Sequence, residues 1–133
     1  MSADRAIYLD SSAIVKLVVA EPESGALQRY LRRRRPLVSS ALARAEVARA
    51  LLPLGEPAAR RGQEVLARLE LIRISDRILA GAGQLLPLEL RTLDAIHLAT
   101  AQEVGSDLAR IITYNERLRA AASAAGCRVA APR

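Results

Sequence analysis

The sequence predicts an α/β sandwich, a mainly parallel central sheet flanked by helices, and three observations carry that prediction. Short apolar stretches at residues 7–9, 37–39, 71–74 and 109–114 alternate with longer stretches of helical period, and strands that alternate with helices are joined by crossovers that leave neighbouring strands parallel. Residues that cap or break helices punctuate these stretches, among them Ser11, Pro36, Pro53, Ser75, Pro87, Thr92, Asn115 and Gly126. With 133 residues, 51% of them hydrophobic, the chain suffices for one α/β core, and no linker or repeat divides it, so a single domain over residues 1–133 is expected.

Residues 7–9 read as a buried strand, and Ser11 and Ser12 open a helix over 13–20. A second helix fits 23–33 and stops at Pro36. Residues 37–39 make the second strand, with Ser39 or Ser40 capping a helix that carries Glu46 and ends at Pro53. Pro57, in a first turn where its missing N–H is tolerated, begins a helix to about residue 69. A strand at 71–74 precedes a helix capped by Ser75 or Asp76 and running towards Leu86, weakened by Gly81 and Gly83. Thr92 is the expected cap of the next helix, and 109–114 is the clearest strand. Asn115 caps a last helix to residue 125, Gly126 ends it, and 127–129 can form an edge strand.

Composition excludes several classes of function. One cysteine, Cys127, and one histidine, His97, leave no material for a disulfide framework or a Cys/His metal site. The N-terminus lacks the apolar core of a signal peptide, and no run approaches the roughly 18 apolar residues of a spanning helix, so a cytoplasmic protein without membrane association is expected. The net charge of +6 and pI near 10.6 favour a polyanionic partner. That signal is blunted because, of the 20 Lys and Arg residues, only Lys16 is a lysine, the mark of an arginine-rich composition. The run Arg32, Arg33, Arg34 and Arg35 can track RNA phosphates or simply finish a helix whose dipole favours cations.

Against that basic background, three acids stand among apolar neighbours: Asp10 closes the first strand, Glu46 lies inside its helix, and Asp94 begins Leu93-Asp94-Ala95-Ile96-His97-Leu98-Ala99. A carboxylate in such a place costs several kcal/mol unless a cation or donors compensate it. Asp10 and Asn115 follow strands directly and so fall on the carboxyl rim where α/β sheets hold their ligands. Asp94 shares a helix face with Leu98 and Ala101 and gains from the dipole, whereas Glu46 reads as mid-helix, beyond its reach. Each acid also has an ordinary reading: Asp10 as a helix cap, Glu46 paired with Arg49, Asp94 as a first-turn acid, and Asn115 as a cap. Together they point to a hard divalent cation, which oxygen ligands hold without histidine or cysteine. His97, amid an apolar helix, is expected to pack or support rather than ligate, and Lys16 to be solvated.

The order of Tyr8-Leu9-Asp10-Ser11-Ser12-Ala13, the helical Glu46, Leu93-Asp94-Ala95-Ile96-His97-Leu98-Ala99-Thr100-Ala101 and Ile111-Ile112-Thr113-Tyr114-Asn115-Glu116-Arg117-Leu118 resembles the PIN-domain ribonucleases, and more narrowly the VapC-type toxins of type II toxin–antitoxin pairs, across residues 7–129. The resemblance implies a PIN-like α/β/α sandwich, a Mg²⁺ site in which Mn²⁺ substitutes, and endoribonuclease cleavage of RNA. It also implies a homodimer or a hetero-oligomer with a cognate antitoxin protein. Carried over, Asp10, Glu46 and Asp94 become the catalytic and metal-binding acids, with Ser12, Thr113 and Asn115 in support. The family's fourth acid normally stands where this chain has Asn115, which removes one negative charge. A second cation is therefore expected to bind weakly or to arrive with substrate. That departure keeps an alternative open, a catalytically weakened PIN-like module that binds RNA or protein. A phosphoacceptor domain is the poorer rival, because it needs a lysine near a later strand and Lys16 is the sole lysine.

Overall fold

The computed structural model describes residues 5–133; the reading of the extreme N-terminus lies outside them. Five strands form one parallel sheet: β1 (Ala6–Leu9), β2 (Leu37–Ser40), β3 (Glu70–Ile72), β4 (Leu108–Ile112) and β5 (Val129–Ala130), in the order β3-β2-β1-β4-β5. The expected mainly parallel sheet is thus parallel throughout. From β1 the chain builds outward through β2 to β3, then returns to lay β4 on the other side of β1. This reversal opens a crevice at the carboxyl ends of β1 and β4, where such sheets bind ligands.

The central strand is buried on both faces, which is why it reads as an unbroken apolar run. Ile7 and Leu9 face a core built with α1 (Ser11–Val18), α2 (Ser24–Leu31), α3 (Ala43–Leu51) and α4 (Glu56–Ala67), whose contributions include Ile14, Leu27, Leu31, Val47 and Leu51. Ala6 and Tyr8, alternating with them, face Leu98, Leu118 and Ala122 of α6 (Thr92–Val104) and α7 (Glu116–Ala124). The short α5 (Asp76–Ala82) packs Ile78 on Ile96 and Ala99. Among the described residues no helix is long and apolar enough to cross a membrane.

Several boundaries differ from the sequence reading, each for a local reason. The cap of α1 is Asp10, whose Oδ1 accepts from the Ala13 N–H at 3.0 Å, so the helix starts at Ser11. The α6 helix begins after Arg91, and Thr92 is its first residue rather than its cap. The α5 helix stops at Ala82 beside the two glycines and does not reach Leu86. Strand β4 ends at Ile112 because the next two residues turn to the site: Thr113 bonds Asp10, and the Tyr114 N–H donates to Ser12 Oγ at 3.0 Å.

The α3 helix corrects a more consequential expectation. It begins at Ala43, with Ser40 Oγ accepting the Leu42 N–H at 3.0 Å just ahead of it, so Glu46 sits in the first turn. The helix dipole therefore favours its charge after all. Nor is the helix apolar all round: Ala43, Val47 and Leu51 form one buried stripe and leave Arg44, Ala48 and Arg49 exposed.

Candidate metal and nuclease site

Asp10 is the best-anchored acid. Only 3% exposed, it hangs from the end of β1, with its own N–H donating to Ile112 O of β4 at 3.2 Å. Its Oδ1 accepts from Ser12 Oγ at 2.6 Å and from the Ala13 N–H, and its Oδ2 accepts a short hydrogen bond from Thr113 Oγ1. Burial nonetheless outweighs these donors and pushes the carboxyl above its usual range. The cap and the site residue proposed from sequence are the same side chain.

Glu46 reaches the site from α3. Its Oε1 accepts from Ser11 Oγ at 2.5 Å and lies 2.6 Å from His97 Nε2; no pair with Arg49 forms among the described residues. Partial burial opposes its charge, but the His97 and Ser11 donors prevail and hold the carboxyl below its usual value. Asp94, in the first turn of α6, is half-buried, and its carboxyl is raised, first by burial and then by the nearby charges of Asp10 and Glu46, partly countered by His97 and Arg91. Asp94 thus feels the carboxylates of two other elements across the crevice. Glu46, Asp94 and Asn115 line an open cleft of about 620 Å³ together with Arg91, Thr92, Leu93, Glu116 and Arg117.

Asn115 is a cap: its Oδ1 accepts from the N–H groups of Arg117 at 2.9 Å and Leu118 at 3.2 Å. Its amide nitrogen lies 3.4 Å from Asp94 Oδ2, so it turns a donor towards the acids and spends its carbonyl on α7. Thr113 ties the two sides together, because its hydroxyl also accepts the Asn115 N–H at 3.1 Å.

Other sequence readings part company with the site. The run Arg32, Arg33, Arg34 and Arg35 precedes β2 and so lies at the amino edge of the parallel sheet, roughly a strand length of 15 Å from the acidic rim. Arg35 Nη1 donates to Leu31 O at 2.9 Å, while Arg34 donates to Tyr30 O and stacks 3.9 Å over that ring, so both finish α2. Lys16 is not surface-solvated: its side chain is 14% exposed, pairs with Glu23 at 2.8 Å and Glu21 at 3.2 Å, and sits 4.8 Å over the Tyr114 ring.

Sequence reasoning missed Arg91 and Arg117 on the cleft and Ser11 on Glu46; His97, expected to pack or support, is buried against Tyr8 and holds Glu46. The available signal was spacing: His97 stands three residues after Asp94 on a helix, and Tyr8 two before Asp10 on a strand, so each shares a face with its acid.

A family model for the PIN domain matches residues 7–124. The chain belongs to the PIN-domain family. Within it, the chain is 65% identical over 127 residues to the ribonuclease VapC46 of Mycobacterium tuberculosis, covering 96% of this chain and 98% of that one. The fold superposes on the crystal structure of VapC20 of Mycobacterium tuberculosis, a sarcin–ricin-loop-cleaving toxin, with a TM-score of 0.76 at 18% identity over 95% and 99% of the two chains. It matches a chain of a toxin–antitoxin complex from Klebsiella pneumoniae with a TM-score of 0.71 at 23% identity, over 96% and 98%.

PIN-domain ribonucleases depend in general on a divalent metal ion, and the donor set of this PIN domain fits one of a particular kind. Among the described residues no three Asp, Glu, His or Cys side chains converge into a ready-made cage. Mg²⁺ needs no cage, since it keeps several waters and takes one or two carboxylates. Asp10, raised by burial, and Asp94, raised by burial and by the charges of Asp10 and Glu46, mark a local excess of negative charge in a chain of net charge +6 that such an ion would offset.

Proposed function

We propose that this PIN-domain chain is an endoribonuclease toxin that hydrolyses RNA phosphodiester bonds at the Asp10, Glu46 and Asp94 crevice with Mg²⁺, for which Mn²⁺ substitutes. What supports the reading is that Glu46 of α3 and Asp94 of α6 line one cleft beside the point where the sheet order reverses, and that Asp10, at the end of β1, lies near enough for its charge to raise the Asp94 carboxyl. The bound cation supplies Lewis acidity and a nucleophile at neutral pH. Asp10, fixed by Ser12 and Thr113, gives the site an immobile anchor. Asp94 and Glu46 stand on the cleft wall where substrate would enter, and Asp94, the carboxyl of the two that is raised, can accept a proton from an attacking water. Arg91 and Arg117 flank the acids and can hold the phosphates on either side of the scissile bond.

The VapC relatives and the toxin–antitoxin neighbour support a cognate antitoxin as partner, and the assembly we infer is a homodimer or a toxin–antitoxin hetero-oligomer. Action on RNA in the cytoplasm is part of this reading. One PIN unit over the chain is sufficient for all of this.

Asn115 favours a second reading, a weakened module that binds RNA or protein, because its carbonyl is committed to α7 and the fourth negative charge is gone. A cleavage assay on total RNA with Mg²⁺ or Mn²⁺ separates the two. Cleavage that disappears with EDTA and in both Asp10→Asn and Asp94→Asn supports the nuclease. RNA retention without metal-dependent cleavage supports the module.

A further inference from the structure

His97 is a polar side chain 2% exposed whose two ring nitrogens are both engaged. Nδ1 lies 2.7 Å from the hydroxyl of Tyr8, itself fully buried, and Nε2 lies 2.6 Å from Glu46 Oε1. Because a carboxylate can only accept, Nε2 carries the proton, and in the neutral ring Nδ1 accepts from Tyr8. The chain Tyr8, His97, Glu46 therefore runs from the sheet core to the cleft with each donor pointing towards the acid. Ser11 Oγ adds the second donor to the same oxygen at 2.5 Å.

A carboxylate oxygen offers about two lone-pair positions, so Oε1 is saturated, while Oε2 accepts no hydrogen bond among the described residues. We infer that His97 is a positioning residue that, with Ser11, pins one oxygen of Glu46 and leaves the other as the single oxygen it can offer a cation, so that the site prefers Mg²⁺ to Ca²⁺. The inference rests on the divalent-cation reading of the crevice. Its chemical basis is that Mg²⁺ accepts one-oxygen carboxylate contacts in a tight octahedron, whereas Ca²⁺ takes more ligands and gains from carboxylates that bind through both oxygens. Burial supports the assignment, because a buried imidazole held at both nitrogens cannot swing away, and Tyr8 is locked in the sheet.

The test is titration calorimetry of the full-length, metal-free chain with MgCl₂, MnCl₂ and CaCl₂, the ions being the only ligands. His97→Leu should weaken Mg²⁺ and Mn²⁺ about tenfold, in line with other residues that orient metal ligands, while Ca²⁺ binding holds or tightens. The Mg²⁺ to Ca²⁺ preference then falls by about the same factor. His97→Gln, which can return an N–H donor to Glu46, should restore most of it. Should His97→Leu fail to fold, Ser11→Ala removes the other donor at a half-buried position and should lower the preference in the same direction. A preference unchanged in folded His97→Leu, or in Ser11→Ala where His97→Leu does not fold, overturns the inference and leaves the metal site standing. A wild-type chain that binds none of the three ions overturns the metal reading and this inference with it.

Discussion

Replacing Thr113 with valine tests how Asp10 is held. The two side chains are nearly the same size, so the fully buried position is refilled without a cavity, and only the hydroxyl is lost. Among the described residues that hydroxyl is the sole donor to Asp10 Oδ2, and it accepts the Asn115 N–H. A hydrogen bond to a charged group contributes about 1.5–3 kcal/mol, and the orphaned amide, near the surface, adds little because water can reach it. With a urea slope of about 1.5–2 kcal/mol per molar for a chain this size, the unfolding midpoint should fall by about 1–2 M. Thr113→Ser is the control, since it keeps the hydroxyl and loses one methyl group, worth about 1 kcal/mol. Urea denaturation in EDTA, followed by circular dichroism, reads both. The valine variant should also need more Mg²⁺ for cleavage, because an Asp10 short of a donor binds protons more readily. If valine costs no more than serine, or if its extra cost persists in Asp10→Asn, the Thr113 to Asp10 bond is not what fixes the site.

Asn115→Asp keeps the α7 cap through one oxygen and sets the other opposite Asp94 Oδ2, where the amide nitrogen now lies at 3.4 Å. The metal-free chain should lose about 1 kcal/mol to like-charge repulsion while Mn²⁺ binds about tenfold tighter, both read by melting with and without Mn²⁺; unchanged metal affinity would refute the charge argument. Because Asp10 and Asp94 are raised above their ordinary 3.8, the folded chain retains protons that the unfolded chain releases. Metal-free stability should therefore rise as pH falls from neutral through those raised values, with the gain complete below the unfolded values. Glu46, lowered from 4.5, opposes this only as pH drops below its unfolded value. Urea midpoints in EDTA should climb in the wild type as pH falls from neutral towards the ordinary 3.8 and climb less in Asp10→Asn/Asp94→Asn; a wild-type profile no steeper than the variant's contradicts the assignment. Serine at all of Arg32, Arg33, Arg34 and Arg35 should leave the cleavage rate within about twofold, since the run lies at the far edge of the sheet. A rate loss beyond tenfold on folded protein would place RNA there.

The alternation of apolar strands with capped helices determined the parallel architecture, because the local period of hydrophobicity and the chemistry of caps act within a few residues and survive without tertiary context. Asp10 and Asp94 were legible for a related reason: a polar group at the end of a buried strand or on the apolar face of a helix conflicts with its neighbours, and that conflict is written in the chain, whereas Thr113 came only with the family resemblance. Tertiary structure decided the rest. Whether Glu46 lies in the first or a middle turn depended on where α3 unwinds beside the Ser40 hydroxyl, a choice made by one hydrogen bond. That Asn115 presents its amide to Asp94, and that His97 bridges Tyr8 to Glu46 across 51 and 89 residues, follow from side-chain orientations set by packing between distant elements. Local sequence fixes which residues resist burial; only the folded sheet determines which of them answer one another.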